Sequence, residues 1–119
     1  MRLHHVQVSC PPGGEATARA FYGDVLGLPE VAKPQVLAAR GGLWFRDTGV
    51  EIHVGVEEPF TPARKAHPAL LVDDIDAIAQ AAEAAGFPVL PCFYGVTISI
   101  PTGPFARRRR FETATPRPA

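Results

Sequence analysis

Hydrophobic and polar residues alternate from Leu3 to Ser9, which predicts a strand with Leu3, His5 and Gln7 on one face and His4, Val6 and Val8 on the other. Pro11-Pro12-Gly13-Gly14 ends it. The period then changes. Ala18, Phe21, Tyr22 and Val25 recur at helical spacing, predicting a helix over Glu15–Leu26 with Gly27 as its stop. Strands are expected at Val36–Arg40, Gly42–Arg46 and Val50–Val56, the last two separated by the turn-forming Asp47-Thr48-Gly49.

The same layout returns in the second half. After a proline-rich and charged connection over Glu57–Lys65, His67–Val72 reads as a strand. Asp73 or Asp74 caps a helix whose buried side carries Ile75, Ile78, Ala79 and Ala82, and Gly86 follows its end. Phe87–Leu90 and Val96–Ile100 predict further strands, with an uncertain last one. A β-α-β-β-β run followed by a second run of the same kind is an internal repeat. It predicts an α+β fold of two tandem βαβββ modules, the first over about residues 1–57 and the second over about residues 66–115, sharing one domain.

Composition narrows the function classes. Twelve basic residues balance twelve acidic ones, so no net field draws nucleic acid or an anionic membrane. No apolar run approaches the roughly twenty residues of a membrane span, and histidines occupy the place where a secretory leader needs apolar residues. A cytoplasmic protein is expected, with Cys10 and Cys92 as reduced thiols. Arg107–Arg110 is the one basic cluster and reads as a solvated tail, since nucleic-acid segments interleave aromatics with the charge.

Histidine is the informative residue type. His5 and His67 open the two repeats, and His53 shares a strand face with Glu51 in Val50-Glu51-Ile52-His53-Val54. Imidazoles and carboxylates on adjoining strands suit a borderline divalent ion, with zinc, nickel, cobalt, manganese and iron as candidates. Gln7, Trp44, Phe45, Phe93 and Tyr94 could line an apolar pocket for a small molecule, although core packing is the commoner use of such aromatics.

The segments Leu3-His4-His5-Val6, Ala20-Phe21-Tyr22-Gly23-Asp24-Val25-Leu26-Gly27-Leu28, Val50–Val54 and His67–Asp76 together resemble the vicinal oxygen chelate superfamily. That superfamily holds glyoxalase I, extradiol dioxygenases, fosfomycin-resistance enzymes and bleomycin-binding proteins. The resemblance implies paired modules that curl a mixed sheet around a cleft, usually in a homodimer. It also implies metal ligands at His5, His67 and His53, with Glu51 or Glu112 as a fourth ligand or the carboxylate that moves a proton. The family's closing motif is altered here: Gly103-Pro104-Phe105-Ala106 leads into the arginine run, and Arg110 stands where a ligand glutamate is wanted. Two functions are therefore expected in competition. One is a glyoxalase-like metalloprotein, an isomerase, lyase or dioxygenase-like enzyme; the other is a metal-free dimeric binder of an antibiotic-like molecule.

Overall fold

The structure, a computed structural model, describes residues 1–92, 95–98, 100 and 112–116. The chain divides into two compact units, Met1–Thr61 and Pro62–Ala119. In the first unit, β1 (Val6–Cys10) is followed by a helix, α1, that runs Glu15–Ala18 and continues as a π-helical segment over Arg19–Val25. Then come β2 (Glu30–Val31), the helical turn α2 (Gln35–Ala38), β3 (Leu43–Asp47) and β4 (Val50–Val56). The second unit holds β5 (Ala69–Val72), α3 (Ile75–Ala84), β6 (Val89–Cys92), β7 (Gly95–Ile98) and β8 (Glu112–Pro116).

The two sheets have one topology. Their strand orders are β1-β4-β3-β2 and β5-β8-β7-β6. The first strand of each pairs parallel with the last, and the other neighbours are antiparallel. This is the α+β double βαβββ architecture that the repeat predicts, with β8 supplying the last strand of the second copy.

Each unit sorts its residues by strand parity. In the first, Cys10, Leu43, Phe45, Ile52 and Val54 are buried, as are Ala18, Phe21, Tyr22 and Val25 of the helix predicted from their spacing. Tyr22 lies 5.6 Å from Phe45 between ring centroids and 5.0 Å from Phe21, so the helix and the sheet meet through aromatic contact. Burying a side chain such as Phe45 is worth about 1.5–3 kcal/mol, and this cluster is the main apolar store of the unit. In the second unit Ala82 of α3, Phe87 and Ile98 are buried. Asp74 is the helix cap, accepting a 3.0 Å bond from the Ala77 amide.

Several boundaries differ from the sequence expectation. Val36–Arg40 is not a strand: Leu37 bonds back to the Pro34 carbonyl at 2.8 Å, and Val36 is exposed. The edge strand is instead the two-residue β2, too short to leave an alternating signature. The strand expected from His67 starts at Ala69, because Pro68 has no N–H to offer the ladder. Likewise β1 starts at Val6, leaving His5 just before it.

Gly42 is a backbone requirement. Its φ is +83°, and a Cβ there would stand 2.2 Å from the Val54 carbonyl oxygen. Gly49, in the β3–β4 turn, has φ +78° with nothing within 4 Å of such a Cβ. Gly42→Ala should therefore cost more than the roughly 1 kcal/mol of conformational strain expected for Gly49→Ala, read as paired denaturant midpoints. Equal losses would show that the strand approach at Gly42 is not tight.

Candidate functional site

The β3–β4 hairpin builds the site through its register. Trp44 stands opposite His53 and Arg46 opposite Glu51, so these four share the face that Phe45 and Ile52 do not. The turn is held by Gly49 and by the Thr48 amide on the Asp47 carboxylate at 2.8 Å. On the other side of β4, Gln7 of β1 pairs with His53.

His53 is only 7% exposed and lies within a column of rings. Its centroid is 4.0 Å from Trp44, with the planes 5° apart, and 4.0 Å from His5, with the planes 17° apart. Because β1, β4 and β3 are successive strands, His5 and Trp44 cover opposite faces of the His53 ring. His4 meets His5 edge-on, with their Nδ1 atoms 2.8 Å apart. Gln7 is exposed, and its amide lies over Gly55: a Cβ on that glycine would come 3.0 Å from Gln7 Nε2.

One carboxylate oxygen orders the column from below. Glu51 Oε1 accepts from Arg46 Nη2 at 2.8 Å and from His53 Nε2 at 3.1 Å. The Arg46 bond, and after it the His53 bond, hold the Glu51 carboxyl down to about 2, against an ordinary 4.5. A carboxylate only accepts, so in the neutral ring His53 carries its proton on Nε2 and keeps a bare lone pair on Nδ1. Among the described residues Nδ1 has no hydrogen-bond partner.

His67 has the same chemistry with a different acceptor. Its Nδ1 donates to the Lys65 carbonyl at 2.8 Å, so in the neutral ring Nε2 holds the lone pair. The register also makes His67 the counterpart of His5. It precedes Ala69 by two residues as His5 precedes Gln7, and Ala69 pairs with Thr113 as Gln7 pairs with His53. Glu112 stands opposite Ile98, the register place that Ile52 holds opposite Phe45 in the first sheet. The place equivalent to His53 belongs to Thr113.

Of the residues predicted from sequence, the structure brings His5, His53, Glu51, Gln7 and Trp44 onto one face of the first sheet. His67 stands before β5 in the second unit. Phe45 is corrected from pocket lining to core: it is 0% exposed and packs toward Tyr22, because strand parity turns it away from Trp44. Phe93, Tyr94 and Arg107–Arg110 lie outside the described residues. Arg46 was missed by sequence reasoning, although a hairpin closed at Asp47-Thr48-Gly49 sets Arg46 against Glu51.

Among the described residues no three His, Cys, Asp or Glu side chains form a metal-holding group. The donor chemistry at His53 and His67 nonetheless fits a borderline divalent ion, since each imidazole has one nitrogen tied to an oxygen and the other bare. The His5 and His53 ring planes lie face to face, 17° apart, and an imidazole lone pair lies in its ring plane, so sharing an ion requires His5 to turn out of the stack. His5 is exposed and precedes the strand ladder, so that rotation breaks no strand pairing.

Comparison with solved structures decides the family. A glyoxalase family protein from Bacillus anthracis is 38% identical, with a TM-score of 0.79 over 97% of this chain and 95% of its own. The chain belongs to the glyoxalase family, within the vicinal oxygen chelate superfamily. More distant members of the fold include the fosfomycin resistance protein FosX of Listeria monocytogenes, at 14% identity and TM-score 0.63 over 82% of this chain and 81% of that one. An antibiotic binding protein from Streptomyces is 21% identical, with a TM-score of 0.60 over 97% of this chain and 98% of its own. No protein-family profile and no curated protein matches the chain. No helix among the described residues of this glyoxalase-family chain is long and apolar enough to cross a membrane.

The Glu51 interaction sets a pH dependence. Its folded value lies below its ordinary one, so its contribution to stability is complete above about pH 4.5 and is lost as pH falls toward 2. Glu51→Gln should flatten the stability profile within that window and leave its shape near neutrality unchanged, as followed by urea midpoints against pH. A profile identical to the parent's would show that Arg46 and His53 do not hold the carboxylate in solution.

Proposed function

We propose that this glyoxalase-family protein holds a divalent metal ion through His5, His53 and His67 and uses it to bind a small molecule through oxygen atoms. The observation that carries this reading is the committed state of two of the three histidines. The Glu51 carboxylate accepts a hydrogen bond from His53 Nε2–H and the Lys65 carbonyl accepts one from His67 Nδ1–H, leaving a ligand lone pair on the other nitrogen of each neutral ring. The ion, whether zinc, nickel, cobalt, manganese or iron, would supply Lewis acidity that polarises a ligand oxygen. Trp44 closes one face of His53 and keeps water from it, while the Gln7 amide offers a donor and an acceptor beside the ring. Glu51, tied to Arg46, orients His53 rather than carrying protons, since a carboxyl held near 2 is a weak base at neutral pH. Glu112 opens β8 two residues ahead of Ala114 and stays a candidate proton carrier or fourth ligand. A homodimer, as is usual for the family, completes the reading.

A second reading follows from Trp44. Its indole is only half-buried on the site face, and a planar ligand could bind there with no metal. The likeness to the Streptomyces antibiotic binding protein supports that class of function. Elemental analysis of untagged protein separates the two. About one divalent ion per chain in the parent, lost in both His53→Ala and His67→Ala, is the expected result. No uptake after reconstitution with nickel, zinc, cobalt, manganese or ferrous iron would overturn the metal reading and leave the metal-free binder.

A further inference from the structure

The sequence offers Glu51 as a ligand or a proton carrier; its surroundings assign it another task. We infer that Arg46 and Glu51 together form a positioning pair that selects the tautomer of His53, presenting Nδ1 as the lone-pair donor of the site. The inference rests on the reading of His53 as a ligand, but it concerns the protein before anything is bound.

Three observations converge on it. The same Glu51 oxygen serves Arg46 at 2.8 Å and His53 at 3.1 Å, so the guanidinium fixes the very atom that accepts the imidazole hydrogen bond. The Glu51 side chain is 11% exposed and that of His53 8%, so water competes little for the bond between them. Trp44 and His5 stack on the ring at 4.0 Å on either side, which holds its plane with Nε2 toward the carboxylate. Orientation is therefore set by stacking and proton placement by the carboxylate. Arg46 is more than half exposed and its guanidinium donates to Glu51, so its part is played through that carboxylate.

A charge-assisted bond of this kind biases a tautomer by about tenfold or more. Long-range proton–nitrogen NMR of the histidine rings, on metal-free protein at a pH where imidazole is neutral, reads that ratio directly. The parent should show His53 protonated on Nε2 and bare on Nδ1. Glu51→Gln keeps an acceptor for Arg46 and for the ring, and should preserve the pattern. Glu51→Leu should lose at least most of the bias, and Arg46→Leu should weaken it with the amide spectrum otherwise intact. A parent ring protonated on Nδ1, or one with both tautomers equally populated, overturns the inference whether or not any variant folds. So does an unchanged pattern in folded Glu51→Leu. The result is independent of metal content: a fixed Nε2–H tautomer in a protein that takes up no metal keeps this inference and sinks the metal reading.

Discussion

Everything at the site depends on one ring and the hairpin that frames it. His53 is a polar side chain that the fold buries, and burial of imidazole is tolerable only when its hydrogen-bonding groups are met. The β3–β4 register meets half of that demand by setting Glu51 two residues away on the same face and Arg46 opposite Glu51. Trp44, opposite His53 itself, supplies the apolar wall. A slip of one residue in the hairpin would send all four to the helix side, and would bring Phe45 and Ile52 out to the open face. The aromatic packing of Phe21, Tyr22 and Phe45 against that helix opposes such a slip, so the core protects the site without touching it.

The duplication explains why the two halves contribute unequally. Backbone topology is shared, and so is the histidine ahead of the first strand, His5 in one copy and His67 in the other. What differs is the pair of central positions: the places held by Trp44 and His53 are taken by Thr97 and Thr113 in the second sheet. Among the described residues the stacked column belongs to the first copy. The second brings a single imidazole whose proton is committed to its own loop through Lys65.

Much of this was legible in the chain. Ala18, Phe21, Tyr22 and Val25 announced a buried helical face, and Gly27 and Gly86 marked helix ends that do adopt positive φ. The pairing of His53 with Glu51 on one face followed from a spacing of two. Other features were hidden for physical reasons. A two-residue strand such as β2 has no period to detect, and α2 is a single turn between Pro34 and the Gly41–Gly42 turn, too short to show a helical period. Contacts between strands far apart in sequence, such as His5 with His53, need the parallel register that no local pattern contains. Phe45 beside Trp44 looked like a joint aromatic wall, whereas adjacent residues on a strand face opposite ways.

Trp44 is the sole tryptophan of the chain and lies 4.0 Å from His53 between ring centroids, which makes its fluorescence a local report on that histidine. Titration of metal-free protein with cobalt(II), a paramagnetic quencher that imidazole ligates, should extinguish the emission saturably near one equivalent, and His53→Ala should abolish the effect. Emission indifferent to excess cobalt, or quenched equally in His53→Ala, would contradict a metal site centred on His53.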